Sequence, residues 1–323
     1  MALIKLVPEN LSIGFIKLRM MAFLLSSILV LASFTLFFSE GLNFGIDFRG
    51  GTLIEIKTTQ DTADLGLIRR SLGELGLGDV KVQEFGKPNE VLIVIEQQAA
   101  RNNQQDAEDG EKNEQAVIKL VQAKLNGALG EGVIYNRIEV VGPKVSGELV
   151  QQGTLAVVLA VFLMLIYIWF RFEWQFSLGA IVALVHDVIL TIGMFSITQL
   201  EFNLSIIAAI LTIVGYSMND TVVVYDRVRE NLRKFKKMNL SELLDHSINE
   251  TLSRTVVTSL TTLLALFSLY IFGGEVIRGF TFAMIWGIFV GTYSSIFIAS
   301  PMLLMTDVKR DWSAQGASEG SKS

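Results

Sequence analysis

The stretch LSIIAAILTIVGYSMNDTVVVY, residues 204–225, decides the fold. It runs for 22 residues with Asp220 as its one acidic or basic side chain. A hydrocarbon core about 30 Å thick needs roughly 20 apolar residues in a helix, so the stretch reads as a membrane span. Asp226 and Arg227 mark its exit. Asp220 then lies six residues inside, about 9 Å at the helical rise, too deep for a short carboxylate to reach water. An ionisable residue at the bilayer centre costs about 2.5–3.5 kcal/mol on insertion scales, which makes it a candidate functional group. Ser217, at i−3, shares its face, and Asn219 adjoins it.

Working outward, similar apolar runs occupy Met20–Phe38, Gly153–Trp169, Phe176–Leu200, Leu252–Phe272 and Phe280–Met305. They account for a composition that is 51% hydrophobic and 18% charged, with mean hydropathy +0.48. The first run follows Lys17 and Arg19 as a signal peptide would, but it is longer than a signal core and lacks an A-x-A site, so an uncleaved anchor is expected. Arg227, Arg229, Arg233, Lys234, Lys236 and Lys237 lie between spans four and five. With Lys17, Arg19, Arg171, Lys309 and Arg310 they fall on one side of a six-span chain, which the positive-inside rule makes the cytoplasm. Both termini are therefore expected to be cytoplasmic. The expected organisation is 1–38 for the N-terminus and first span, 39–152 for a soluble periplasmic domain, 153–305 for spans two to six with a basic loop at 226–251, and 306–323 for a tail.

The soluble insert reads as strand, helix, strand, strand, helix, strand. Thr52–Thr58 alternates, and Leu65, Ile68, Leu72 and Leu75 recur at helical spacing. Val80–Phe85 and Val91–Glu96 follow as strands around a turn at Lys87-Pro88-Asn89. Val117, Leu120, Val121 and Leu125 mark a second helix, and Ile134–Val141 a last strand. This order is that of a ferredoxin-like α/β domain. Arg101–Glu114 is polar, acidic and nonperiodic, and is expected to be a loop.

Further polar groups lie in the spans. Leu240, Leu243, Leu244 and Ile248 form an apolar stripe behind a capping pair, Asn239 and Glu242, so the fifth helix is expected to begin on the membrane surface and turn inward near Arg254. Arg254, Thr258 and Thr261 share one stripe, with Thr255, Ser259 and Thr262 on its flank. Spans four and five run antiparallel with both charges in the cytoplasmic half, so Asp220 and Arg254 can meet. Burial and a neighbouring cation pull a carboxyl's proton affinity in opposite senses, which suits a proton relay. The competing reading is a buried pair that merely joins two helices, or an Arg254 that snorkels to the interface. His186 and Asp187 in span three are candidates for the same path or for helix packing. Gly287, Gly291, Ser295 and Ala299 in span six read as a small-residue packing face.

The bulk numbers exclude several functions. A net charge of −5 is too mild to suggest nucleic acid as a partner. Without cysteine there is no disulfide or thiol chemistry, and with two histidines, His186 and His246, a multi-histidine metal site is not expected. No nucleophile–base constellation appears, so an enzyme is the weakest reading, and no cofactor or metal is expected.

Gly45-Ile46-Asp47-Phe48-Arg49-Gly50-Gly51-Thr52 resembles the G-[LI]-D-F-T-G-G signature of the SecF branch of the SecD/SecF family of bacterial protein-export subunits. Val141-Gly142-Pro143 resembles that family's V-G-P motif. Ala183–Val188, Gly215–Thr221, Ser253-Arg254-Thr255 with Thr258-Ser259, and Phe272-Gly273-Gly274 are similar to its membrane motifs, in order and spacing. Arg49 stands where the family often has Thr, and the acidic stretch 101–114 looks like an insertion.

The resemblance implies a six-span half-transporter of the resistance-nodulation-division type in the bacterial inner membrane. It implies pairing with SecD, association with YajC and the SecYEG channel, and action after SecA on unfolded exported polypeptides, with protons as the coupling ion. Carried over, the family's proton-path carboxylate falls on Asp220 and its arginine on Arg254. Two alternatives remain open. A passive scaffold would not need Asp220, and a small-molecule exporter of the same superfamily usually has about twice as many spans.

Overall fold

The computed structural model describes residues 12–78, 80–96, 107–306 and 308. A short 3-10 turn, Ile16–Leu18, leads into α1 (Arg19–Ser39). Then follow α2 (Ile46–Arg49), β1 (Gly51–Lys57), α3 (Leu65–Gly73), β2 (Val80–Phe85), β3 (Lys87–Glu96), α4 (Ala107–Leu129) and β4 (Ile134–Val141). The remaining described elements are helical: α5 (Pro143–Arg171), α6 (Trp174–Thr198), α7 (Leu204–Lys234), α8 (Leu240–Phe272), α9 (Glu275–Ser294), a π-helical turn at Ser295–Ala299, and α10 (Ser300–Met305).

The strands form one antiparallel sheet in the order β2-β3-β1-β4. Alternation decides its faces. Ile54, Ile56, Val91, Ile93 and Ile95 point to one side, where they pack on Ile68 and Leu72 of α3 and Val121 and Leu125 of α4. Burying each such side chain contributes about 1.5–3 kcal/mol. Leu53 and Leu92 point to the other side and pack on Ile46 of α2. The sheet is therefore sandwiched between its own helices and the glycine-rich motif.

Several expectations need correction. The turn lies at Gly86 (φ +84°) rather than at Lys87-Pro88-Asn89, which belong to β3. Gly86 adopts the left-handed backbone that the reversal needs, and Pro88 offers its carbonyl to Ala63 at a strand end that requires no donor there. The acidic stretch is helical from Ala107, because its alanine, glutamate, lysine and glutamine residues favour helix without an apolar stripe. Residues 101–106 lie outside the described residues. The basic loop 226–251 is mostly helix: α7 continues to Lys234, and Asn239 caps α8 through the Ser241 N–H. α5 begins at Pro143, which suits a first helical turn. Lys309 and Arg310 lie outside the described residues.

Among the described residues, six helices are long and apolar enough to cross a bilayer. The chain is a multi-pass membrane protein. α6, α7 and α9 form its inner layer, while α1, α5 and α8 keep most of their span surface exposed. Met20, Leu24 and Ile28 of α1 and Leu155, Leu159 and Phe162 of α5 face outward, as lipid contact requires. The span-six glycines do pack closely: a Cβ on Gly287 would strike Ile213, and one on Gly291 would meet the Ser217 Cβ at 2.9 Å. α9 therefore approaches α7 closely at the level of Ser217.

Candidate functional site

A fully buried polar cluster of the bundle centres on Asp187. Its Oδ1 lies 2.9 Å from His186 Nδ1, and its Oδ2 accepts the Ser217 hydroxyl at 2.5 Å and the Ser294 hydroxyl at 2.7 Å. Asp187 is 1% exposed, and its three partners are buried as well. α6, α7 and α9 thus meet on one carboxylate. Ser217 is buried on the same α7 face as Asp220, and its hydroxyl donates to Asp187. Ser294 was missed because one serine among small packing residues carries no distinctive signal. The π-turn starts at the next residue, and the Ser300 hydroxyl bonds the Ser295 carbonyl across it.

Asp220 is 2% exposed, and its Oδ2 has no hydrogen-bond partner among the described residues. Arg254, exposed on α8, does not form an ion pair with it. The reason is the rotation of α8. Thr255 and Ser259 face inward, and the Ser259 hydroxyl meets Thr292 at 2.9 Å. Arg254 consequently points outward, and Thr258 spends its hydroxyl on the Arg254 carbonyl. Asn219 is also exposed, since neighbouring residues on a helix diverge by about 100°. Of the five expected path residues, the fold buries Ser217 and Asp220 and turns Asn219 and Arg254 outward, with Thr258 half-buried beside Arg254.

The glycine-rich motif joins sheet to bundle. Gly45 N–H bonds the Phe202 carbonyl, Phe202 N–H bonds the Asn43 carbonyl, and Asp47 Oδ2 accepts the Leu204 N–H at the start of α7. Phe48 packs among the rings of Phe44 and Phe202. Gly50 (φ +73°) and Gly51 (φ +138°) adopt backbone that L side chains resist, which explains the glycine pair. Arg49 bonds Glu96 at 2.7 Å, and Lys81 holds the same carboxylate below the usual range, with Arg49 assisting. Glu201, which gave no sequence signal, lines a cleft of about 320 Å³ between sheet and bundle, where burial and then the Asp47 charge push its carboxyl up.

Residues 121–309 match the family model described as protein export membrane protein SecD/SecF, C-terminal, and residues 35–62 match the SecD/SecF GG motif. The protein translocase subunit SecF of Rhodobacter capsulatus is 46% identical over 314 residues, covering 95% of this chain and 93% of that one. The chain belongs to the SecD/SecF family. Another relative, the SecF subunit of Rickettsia bellii, is 45% identical over 300 residues, covering 93% of this chain and 95% of its own. The crystal structure of SecDF from Thermus thermophilus, a translocon-associated membrane protein, superposes with a TM-score of 0.79 at 34% identity, and covers 92% of this chain. SecDF in a super-membrane-facing form gives 0.62 at 31% identity. This SecD/SecF-family chain spans 39% and 40% of the length of those two SecDF chains.

Proposed function

We propose that the chain is the SecF subunit of a bacterial protein-export complex in the inner membrane. It couples inward proton movement to the late export of unfolded polypeptides, after the SecA step. The reading is supported by full-length similarity to SecF subunits. The observation that carries the coupling is Asp220, a carboxyl inside the bundle with an oxygen left without a donor among the described residues. The soluble part is a ferredoxin-like domain on the periplasmic side, both termini are cytoplasmic, and the basic residues at the end of α7 and just after it, Arg233, Lys234, Lys236 and Lys237, support that orientation.

Arg254, Thr258 and Thr261 lie along the less covered face of α8. A polar stripe there is unsuited to lipid, and it favours a second six-span subunit, SecD, as its cover. Length similarity to two fifths of SecDF chains agrees with that pairing. Association with YajC and the SecYEG channel belongs to the same proposal. Protonation of Asp220 from the periplasmic side releases it from the field of Arg254, α7 and α8 rearrange, and Asp47 passes the movement to the sheet through the start of α7. One charge moving through 100 mV supplies about 2.3 kcal/mol, a population shift of nearly fiftyfold.

The test is export into membrane vesicles with and without an uncoupler. The Asp220→Asn variant, assembled with SecD, should export as wild type does in the presence of uncoupler. Export that depends on this chain yet ignores the uncoupler favours a passive scaffold.

A further inference from the structure

We propose that His186 is a second proton-binding residue of the bundle, taking the proton on Nε2 while Nδ1–H stays bonded to Asp187. Asp187 Oδ2 already accepts two hydroxyls, from Ser217 and Ser294, and Oδ1 faces His186 Nδ1 at 2.9 Å. A carboxylate only accepts, so Nδ1 carries the hydrogen and the neutral ring keeps its lone pair on Nε2. His186 is 5% exposed, and Nε2 has no hydrogen-bond partner among the described residues. A basic nitrogen is thus held inside the bundle with its orientation fixed from the other side of the ring.

The surroundings suit a proton that comes and goes. Without it, the His186–Asp187 pair carries a net charge of −1; with it, the pair becomes a hydrogen-bonded ion pair of zero net charge. Tyr293 of α9 lies against the imidazole, ring centroids 6.1 Å apart, but its hydroxyl is engaged with Ser26 and the Ala22 carbonyl of α1. The titratable neighbours are Asp187 on the same helix, Tyr293 on α9, and Asp220 one turn beyond Ser217 on α7; α1 presents Ser26.

Depth gives the site its place in a path. His186 is twelve residues from either end of α6, about 18 Å from each. Asp220 lies three residues beyond Ser217, about 4.5 Å further from the sheet-bearing side. A proton arriving from that side meets His186 before Asp220. Ser217 links the two levels, because it bonds Asp187 and lies on the α7 face that carries Asp220. This ordering rests on the proton-coupling role proposed for Asp220; the protonation of His186 itself does not.

The chain contains two histidines, which makes the test clean. His246 sits in an exposed pair with Glu250, and His246→Gln leaves His186 as the sole imidazole. The full chain, labelled with 15N-histidine and placed in lipid nanodiscs, is followed by NMR from about pH 9 to 5. The expected result is Nδ1 protonated throughout and Nε2 changing from bare to protonated as pH falls. In Asp187→Asn, which lacks the counter-charge, that conversion should vanish from the window; in Asp220→Asn it should persist. A ring protonated on Nε2 and bare on Nδ1, or a neutral ring at every pH, overturns the proposal, as does an Asp187→Asn variant that titrates unchanged. If Asp220→Asn exports like wild type while His186 still titrates, the role of Asp220 fails and the His186 site stands.

Discussion

Asp187 and Asp220 belong to one bundle, about one helical turn apart in depth, and their surroundings differ in kind. Three side chains from three helices converge on Asp187, whereas Asp220 keeps a buried oxygen with no donor among the described residues. A carboxylate satisfied on both oxygens fixes the helices around it. One left short of donors instead stores a cost that protonation, or the approach of a cation, relieves. The contrast assigns holding to Asp187 and switching to Asp220.

The largest break in that comparison is Asp187→Ala. It strands one imidazole N–H and the Ser217 hydroxyl and leaves the Ser294 hydroxyl only the Gly291 carbonyl, and should lower stability by about 3–5 kcal/mol. Asp220→Asn, by contrast, should leave the thermal unfolding midpoint unchanged or raised. Unfolding in detergent, followed by tryptophan fluorescence, measures both; equal losses would erase the distinction. Ser294→Ala removes one hydrogen bond to a charged group and should cost about 1.5–3 kcal/mol on the same scale.

Smaller effects test how the soluble domain is joined to these carboxylates. Gly50→Ala forces a side chain into left-handed backbone and should cost the sheet about 1–2 kcal/mol. Glu201→Gln should have the smallest effect. Burial raises the folded-state carboxyl above its unfolded value, so the folded chain binds the proton more tightly. Stability then falls as pH rises from the ordinary carboxylate range through the raised value, and is level above it. Glu201→Gln should flatten that slope and stabilise the protein at neutral pH. A pH series of unfolding midpoints shows whether it does.

Much of this was legible in the sequence, for identifiable reasons. Spans announce themselves because a bilayer demands long apolar runs, and the strands because period-two alternation marks Ile54, Ile56 and Ile93. Asp220 stood out because a carboxylate inside such a run is costly. Helix rotation left no such mark: nothing in Arg254-Thr255 states that the threonine faces inward and the arginine outward. The partnership of Asp187 with Ser294 joins residues 107 positions apart and depends on how closely α9 approaches α7 through Gly291. Glu201 was invisible for a similar reason, since its environment is created by Asp47 and the sheet arriving from elsewhere in the chain. Residue type and spacing carry burial well, and carry facing poorly.

The most direct test of the central claim is gradient-stimulated export measured with Asp220→Asn and Arg254→Gln, singly and together, at equal amounts of assembled complex. If the two act as one switch, each single variant loses the stimulation and the double variant loses no more than the worse single. An Asp220→Asn protein that responds to the proton gradient as wild type does would contradict the account.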